Sequence, residues 1–155
     1  MKRRPLLVAT AAWPSMARAS PQALVAAAEA GDLAALRRML EAGTPVDGRD
    51  GRDGRQRTAL LAATQANRID AARLLIERGA NVNVNHVNRL GWTALLEAII
   101  LGDGGAAHTE IVRLLVARGA NVNLADAQGV TPLAHAEQRG QAVIADGLRR
   151  VGARR

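Results

Sequence analysis

The sequence Gly119-Ala120-Asn121-Val122-Asn123 gives the clearest structural signal in this chain of 155 residues. It is followed after a short connection by Gly129-Val130-Thr131-Pro132-Leu133, and a closely similar stretch stands one unit earlier at Gly79-Ala80-Asn81-Val82-Asn83. Self-similarity at a fixed period is typical of repeat proteins, in which neighbouring units bury a shared core. The Thr-Ala-Leu or Thr-Pro-Leu sites lie at residues 58–60, 93–95 and 131–133, with Gln22-Ala23-Leu24 in the same place in a degenerate first unit.

The spacing of these motifs is regular enough to define a period. From the turn between the two helices of a unit to its closing glycine there are 12 positions in every unit. From the Thr site to that turn there are 9 positions in three units, and from Gly119 to Thr131 there are 12, so the period is 33 residues. The turn and closing positions are Gly31 and Gly43, Asn67 and Gly79, Ala107 and Gly119, and Gly140 and Gly152.

Each unit also has the local chemistry of two short helices. The threonine is a fair N-cap, because its hydroxyl accepts a backbone N–H that the helix leaves unpaired. Gly31, Asn67 and Gly140 tolerate the left-handed conformation that a tight turn between helices requires. In the second helix, apolar residues such as Ile111 and Leu115 fall on one face. The pattern therefore predicts a series of helix–turn–helix units.

This combination of motifs resembles the ankyrin repeat. The matching residues are Gly91-Trp92-Thr93-Ala94-Leu95, Ile111-Val112-Arg113-Leu114-Leu115, and the stretches 119–123 and 129–133, and the resemblance extends over about residues 21–153. It implies an all-α repeat solenoid, an ankyrin-like stack of four helix–turn–helix units with β-turn fingers. It also predicts one domain over residues 20–155, with units at approximately 21–50, 51–85, 86–125 and 126–155.

Residues 1–19 have the pattern of a secretory signal peptide. Lys2-Arg3-Arg4 is a positively charged start, Leu6–Trp13 is a short apolar run, and Ala17-Arg18-Ala19 is a small-residue cleavage site. We expect cleavage after Ala19 and a periplasmic or secreted protein, with a cytoplasmic protein that keeps this segment as a tail as the alternative. No apolar run approaches the ~20 residues of a transmembrane helix.

Composition and charge exclude several classes of function. The chain has no cysteine, which excludes a disulfide scaffold, a cysteine nucleophile and a cysteine-ligated zinc site. Its net charge of +7 includes four basic residues in the first 19 positions, and the remainder has 17 basic and 14 acidic residues, a balance of +3. Trp13 and Trp92 are the only aromatic residues apart from histidine. Nucleic-acid binding through arginine is therefore the weaker alternative to protein binding.

The chain has few residues that could form a catalytic site. His135 and Glu97 each stand four positions after their Thr, so stacking would place them on adjacent units, where a hydrogen bond between them is expected to be structural. No nucleophile accompanies that pair. Asp103, His108 and Glu97 define a less favoured alternative, metal-assisted hydrolysis. The Asp- and Gly-rich segment Asp47–Arg57 lacks the spacing and final glutamate of a calcium-binding EF-hand loop. We therefore predict a non-enzymatic protein with no cofactor and no metal.

The ankyrin resemblance implies a binding surface made of the finger tips and the exposed side of the first helices. Unit three departs from the regular period by an insertion around Gly102–Gly105, which is either a tolerated surface loop or a functional one. Trp92 is either an exposed anchor for a partner or packed back onto a neighbouring finger. We predict a monomeric module that binds a protein through Arg55, Arg57, Arg89, Leu90, Trp92, Gln128 and Val130.

Overall fold

The computed structural model describes residues 18–51, 56–83 and 90–155. Within these ranges it contains eight α-helices, which form four consecutive helical hairpins, and no regular strand. An antiparallel bridge joins Arg49 and Thr58 at the base of the second finger. The helices are α1 (Pro21–Ala30), α2 (Leu33–Glu41), α3 (Ala59–Gln65), α4 (Ile69–Glu77), α5 (Ala94–Ile100), α6 (Ala106–Ala117), α7 (Pro132–Gln138) and α8 (Ala142–Arg150).

The hairpins stack in chain order. The first helices α1, α3, α5 and α7 pack side by side in one layer, and the second helices α2, α4, α6 and α8 pack in another. Leucine and isoleucine from both layers form one continuous core, in which alanines allow neighbouring helices to approach closely. The predicted all-α repeat stack is confirmed. Fully buried large side chains include Leu24, Leu60, Leu95, Ile99, Ile111, Leu115 and Leu148.

Helix capping follows the sequence pattern in three units and differs in the first. Thr58, Thr93 and Thr131 each accept a backbone N–H through the side-chain hydroxyl, at 3.2–3.3 Å. In unit one the cap is Ser20, whose hydroxyl accepts the N–H of Ala23. The cap of the first helix therefore lies two residues before Gln22 and the helix begins at Pro21, because Ser20 supplies a cap and proline favours the first helical position.

The turns between helices adopt the expected left-handed conformation. Asn67 has φ +56°, and the closing glycine Gly79 has φ +87°, values that favour asparagine and glycine because other side chains clash there. Unit three is the exception. Ala107 lies inside α6 and not in a turn, because the inserted residues lengthen that helix to 12 residues. Its turn is at Gly104, with φ +73°.

A polar side chain at an equivalent position crosses each boundary between units. Asn83 accepts the N–H of Asn121 through Oδ1 at 2.6 Å and donates from Nδ2 to the carbonyl of Gly119 at 3.3 Å. The amide group suits this position because it offers a donor and an acceptor to the backbone of the next unit. The equivalent bonds join Asn123 to Arg154 and Gly152, and Asp47 to Asn81.

Candidate partner-binding surface

In unit four, the carboxylate of a buried aspartate joins the finger to the first helix of the unit. The carboxylate of Asp126 accepts the backbone N–H groups of Gln128 and Val130, each at 2.9 Å, and the Nε2–H of His135 at 2.8 Å. Burial by itself raises the pKa of Asp126, but the bonds from Val130, His135 and Gln128 outweigh it and hold the pKa below its usual range. Gly129 turns the chain with φ +79°. The finger is thus fixed to the start of its own first helix.

In unit two the finger is also held by a buried aspartate, which pairs with an arginine and not with a histidine. Asp50 accepts the backbone N–H of Arg57 at 2.9 Å and lies 3.5 Å from its guanidinium. That guanidinium also donates to Glu29 of unit one at 3.2 Å and to Gln65 at 3.0 Å. Burial lowers the pKa of Arg57, but the carboxylates of Glu29 and Asp50 outweigh it and raise the pKa above its ordinary value. Arg57 therefore joins units one and two.

Unit three presents the apolar part of the surface. Arg57, Trp92 and Val130 occupy equivalent positions, one residue before the capping threonine, and all three are half-buried. The indole Nε1 of Trp92 is buried and donates to no acceptor in the part of the chain that the structure describes. Leu90, on the same finger, is 38% exposed, and Leu101, at the end of α5, is 44% exposed. Unit three thus exposes two large apolar side chains, one before and one after its first helix.

The remaining predicted partner residues divide into two groups. Gln128 is exposed beside the turn of the fourth finger, and the carbonyl of Leu90 accepts the N–H of Ala127 at 3.0 Å, which joins the third and fourth fingers. Arg55 and Arg89 lie outside the described residues, as does His86. The structure thus brings Leu90 and the Gln128 turn together, and it places Arg57 in internal bonds.

The expected bond between Glu97 and His135 is absent from the described side-chain contacts of His135. Both residues lie on adjacent first helices, as their equal spacing from the threonines predicted. The finger of unit four lies closer to His135, however, and His135 donates to Asp126 of that finger. Glu97 is a buried residue of α5. This prediction was therefore wrong about the partner, although it was right that the histidine has a carboxylate partner.

The insertion in unit three forms a hydrogen-bonded loop. Its sequence did not distinguish a tolerated surface loop from a functional one. Asp103 accepts the N–H of Gly105 at 2.8 Å and the Nδ1–H of His108 at 2.9 Å, and these bonds lower the pKa of Asp103. Gln141 of unit four donates from Nε2 to the carbonyls of Ile99 and Gly102, at 2.9 and 3.0 Å. Gln141 had no signal in the sequence, since its role depends on the inserted loop of another unit.

The described residues include no group of three or more histidine, aspartate or glutamate side chains that could hold a metal ion. Asp103 and His108 bond to each other, and no metal-binding cluster there includes Glu97. The segment Asp47–Arg57 is only partly described. Among the helices that the structure describes, none is both long enough and apolar enough to cross a bilayer.

The stacked helical hairpins and the fingers that link them define the chain as a helical repeat protein. Comparison with known proteins identifies which scaffold it is. The model of the family described as ankyrin repeats (3 copies) matches residues 6–86 and 81–153. The chain belongs to the ankyrin repeat family, whose members generally serve as protein-interaction modules and are typically non-catalytic.

Two relatives illustrate the match. YahD, named as an ankyrin repeat protein of Escherichia coli (strain K12), is 50% identical over 72 residues, which are 46% of this chain and 36% of that protein. The crystal structure of an ankyrin repeat domain from Acinetobacter baumannii AYE superposes with a TM-score of 0.77 at 46% identity. That match covers 84% of this chain and 64% of the solved one. The chain thus spans about a third of the first relative and just under two thirds of the second.

Proposed function

We propose that this protein is a non-catalytic adaptor that binds a protein partner through the third finger and the end of α5. The observation that supports the proposal best is the exposure of Leu90 and Leu101 in one unit, whose finger also has the half-buried Trp92. In unit two the same surface is filled by Arg57 and its bonds to Glu29 and Gln65. The apolar part of unit three therefore has polar surroundings, which is the arrangement of an interface centre and its rim.

We further propose that the adaptor is exported. The leader pattern of residues 1–19 supports this, and so does Ser20, which caps α1 from the first position after the expected cut. Cleavage there would leave the hydroxyl of Ser20 in place to accept the N–H of Ala23. The intact mass of the protein recovered from separated cell compartments tests the idea. A periplasmic or secreted form that begins at Ser20 supports export, and an uncleaved cytoplasmic form contradicts it.

The binding surface is tested by affinity capture from native extract, followed by titration of the purified partner. The test variants are Leu90→Ala/Leu101→Ala and Trp92→Ala, and the matched control is Arg38→Ala, which truncates an exposed side chain on α2 of unit one. We expect the test variants to bind at least tenfold more weakly, about 1.4 kcal/mol, and the control to bind normally. Equal binding by all four proteins would place the partner elsewhere. Circular dichroism of each variant checks that it is folded.

A further inference from the structure

The second helix of unit four departs from the pattern of units two and three. Each second helix can be aligned on the glycine that closes its unit. Five positions before that glycine, units two and three have Leu74 and Leu114, both buried in the hydrophobic core. Unit one has the exposed Arg38 at this position, and unit four has Gly147. The core residue that units two and three place here is therefore missing from α8.

Among the residues that the structure describes, none requires a glycine at position 147. Its φ is not positive, and a Cβ built there would have no atom within 4 Å. A glycine inside a helix destabilises it relative to alanine. The structure therefore has an unfilled space over Gly147 and a glycine whose small size serves no internal contact.

Two valines flank Gly147 where units two and three have charged residues. Val143 is 67% exposed and Val151 is 50% exposed, each four residues from Gly147 and so on the same side of α8. In unit four, apolar side chains thus stand in place of solvated charged ones on both sides of the unfilled space over Gly147. The equivalent residues in units two and three are Asp70 and Glu110 for Val143, and Arg78 and Arg118 for Val151.

A groove of about 400 Å³ runs between α6 and α8 at this place. Its walls are mainly aliphatic, and they include the buried Ile144 and Leu148 together with the exposed valines. Because α6 and α8 are neighbouring helices, the groove has the shape that a third helix can pack into. Glycine at the centre of such a groove lets a partner side chain or backbone come close.

The charges beside the groove are predominantly positive. Arg150 lines it and pairs with no carboxylate among the described residues. Arg113 also lines it, and its partner Glu110, at 3.4 Å, is shared with Arg73. The one acid in the lining, Asp146, is neutralised by Arg149 at 2.6 Å. An occupant with carboxylates next to its apolar side chains is therefore complementary in charge.

We propose that the groove between α6 and α8 is a second binding site, and that it takes an acidic amphipathic helix of another protein. An aliphatic side chain of that helix fills the space over Gly147, between Val143 and Val151, and its carboxylates pair with Arg113 and Arg150. This site lies on the layer of second helices, away from the third finger and α5. It is therefore independent of the surface proposed above, and each can be tested with the other intact.

The test uses the full chain and a fluorescent synthetic peptide of about 15 residues, long enough for marginal helix formation. Leucines one helical turn apart lie on one face of the peptide, with glutamates on either side, and a matched peptide has glutamines instead. We expect Gly147→Leu, which fills the space, to weaken binding of the acidic peptide at least tenfold. Gly147→Ala is the control for helix stability and should retain binding. Arg113→Glu/Arg150→Glu should abolish it, and the glutamine peptide should bind weakly.

Several results would overturn this proposal. Equal binding of the acidic peptide to wild type and Gly147→Leu, or no binding to either, would contradict the site. Equal binding of the two peptides would contradict its charge preference. Saturable binding of octanoate without binding of the peptide would assign the groove to a small aliphatic carboxylate. A dimer in sedimentation that Gly147→Leu dissociates would assign it to a second copy of this chain.

Discussion

The carboxylate of Asp126 is expected to hold unit four together, and Asp126→Ala tests this. The substitution removes three hydrogen bonds of 2.8–2.9 Å, from Gln128, Val130 and His135. A bond to a charged group contributes about 1.5–3 kcal/mol, but water can replace the acceptor for the two finger amides, and the variant no longer buries a carboxylate. We therefore expect a loss of about 2–4 kcal/mol in the free energy of opening unit four.

Hydrogen exchange of the backbone amides in α7 and α8 measures that loss. At about 1.4 kcal/mol for each factor of ten, the protection of these amides should fall on the order of 10²-fold. Asp126→Asn retains an oxygen for the finger amides and should lose about half as much. Asp146→Ala is the matched control, because its carboxylate makes one exposed ion pair with Arg149 and such pairs contribute about 0–1 kcal/mol.

The sign of the pH dependence follows from the lowered pKa of Asp126. The carboxylate stabilises the folded state above its unfolded pKa, about 3.9, and this stabilisation is lost as the pH falls through the lower folded value. Wild type should therefore lose protection in α7 and α8 below about pH 4, and Asp126→Asn should lose less, since Glu137 of α7 retains its lowered pKa while residue 126 no longer titrates. The reasoning is refuted if Asp126→Ala costs no more than Asp146→Ala, or if Asp126→Asn shows the full acid-dependent loss of wild type.

Three further substitutions test individual contacts by urea unfolding. Gly147→Ala should raise the free energy of unfolding by up to about 1 kcal/mol, since the new Cβ meets no atom within 4 Å; a decrease would show hidden crowding. Thr93→Ala should lower it by about 1 kcal/mol through loss of the cap on Leu96 N–H, whereas Thr93→Ser should restore most of it. Gln141→Ala should lower it by about 1–3 kcal/mol and increase exchange at the loop around Gly102; unchanged exchange would contradict the role of Gln141.

The parts of the fold that the sequence predicts are those set by local chemistry. The threonine caps and the left-handed turns depend on one residue and its immediate neighbours, so Thr58 and Asn67 could be assigned from their type and spacing. The first cap was misplaced because the period assigned Gln22 to the threonine position, whereas Ser20-Pro21 provides a better helix start two residues earlier. Ala107 was misplaced because an insertion can lengthen a helix as well as a turn.

The candidate site was less predictable because it depends on contacts between units. The position of Arg57 on the finger indicated an outward cation, but its long side chain reaches Glu29 of the preceding unit, and no local pattern indicates that partner. His135 likewise bonds to the finger of its own unit and not to the neighbouring helix. The groove over Gly147 did leave a signal, since aligning the second helices shows glycine where Leu74 and Leu114 stand.

The boundaries between units differ in how far they depend on sequence. The bonds of Asp47, Asn83 and Asn123 reach mainly backbone atoms of the next unit, so they would form with almost any successor of the same backbone geometry. Gln141 instead bonds to the carbonyls of Ile99, in α5, and Gly102, in the inserted loop of unit three. Recombination of these repeats should therefore tolerate exchange of units one and two, taken as a pair joined by Arg57 and Glu29, with foreign repeats. Units three and four should be inherited, or transplanted, together.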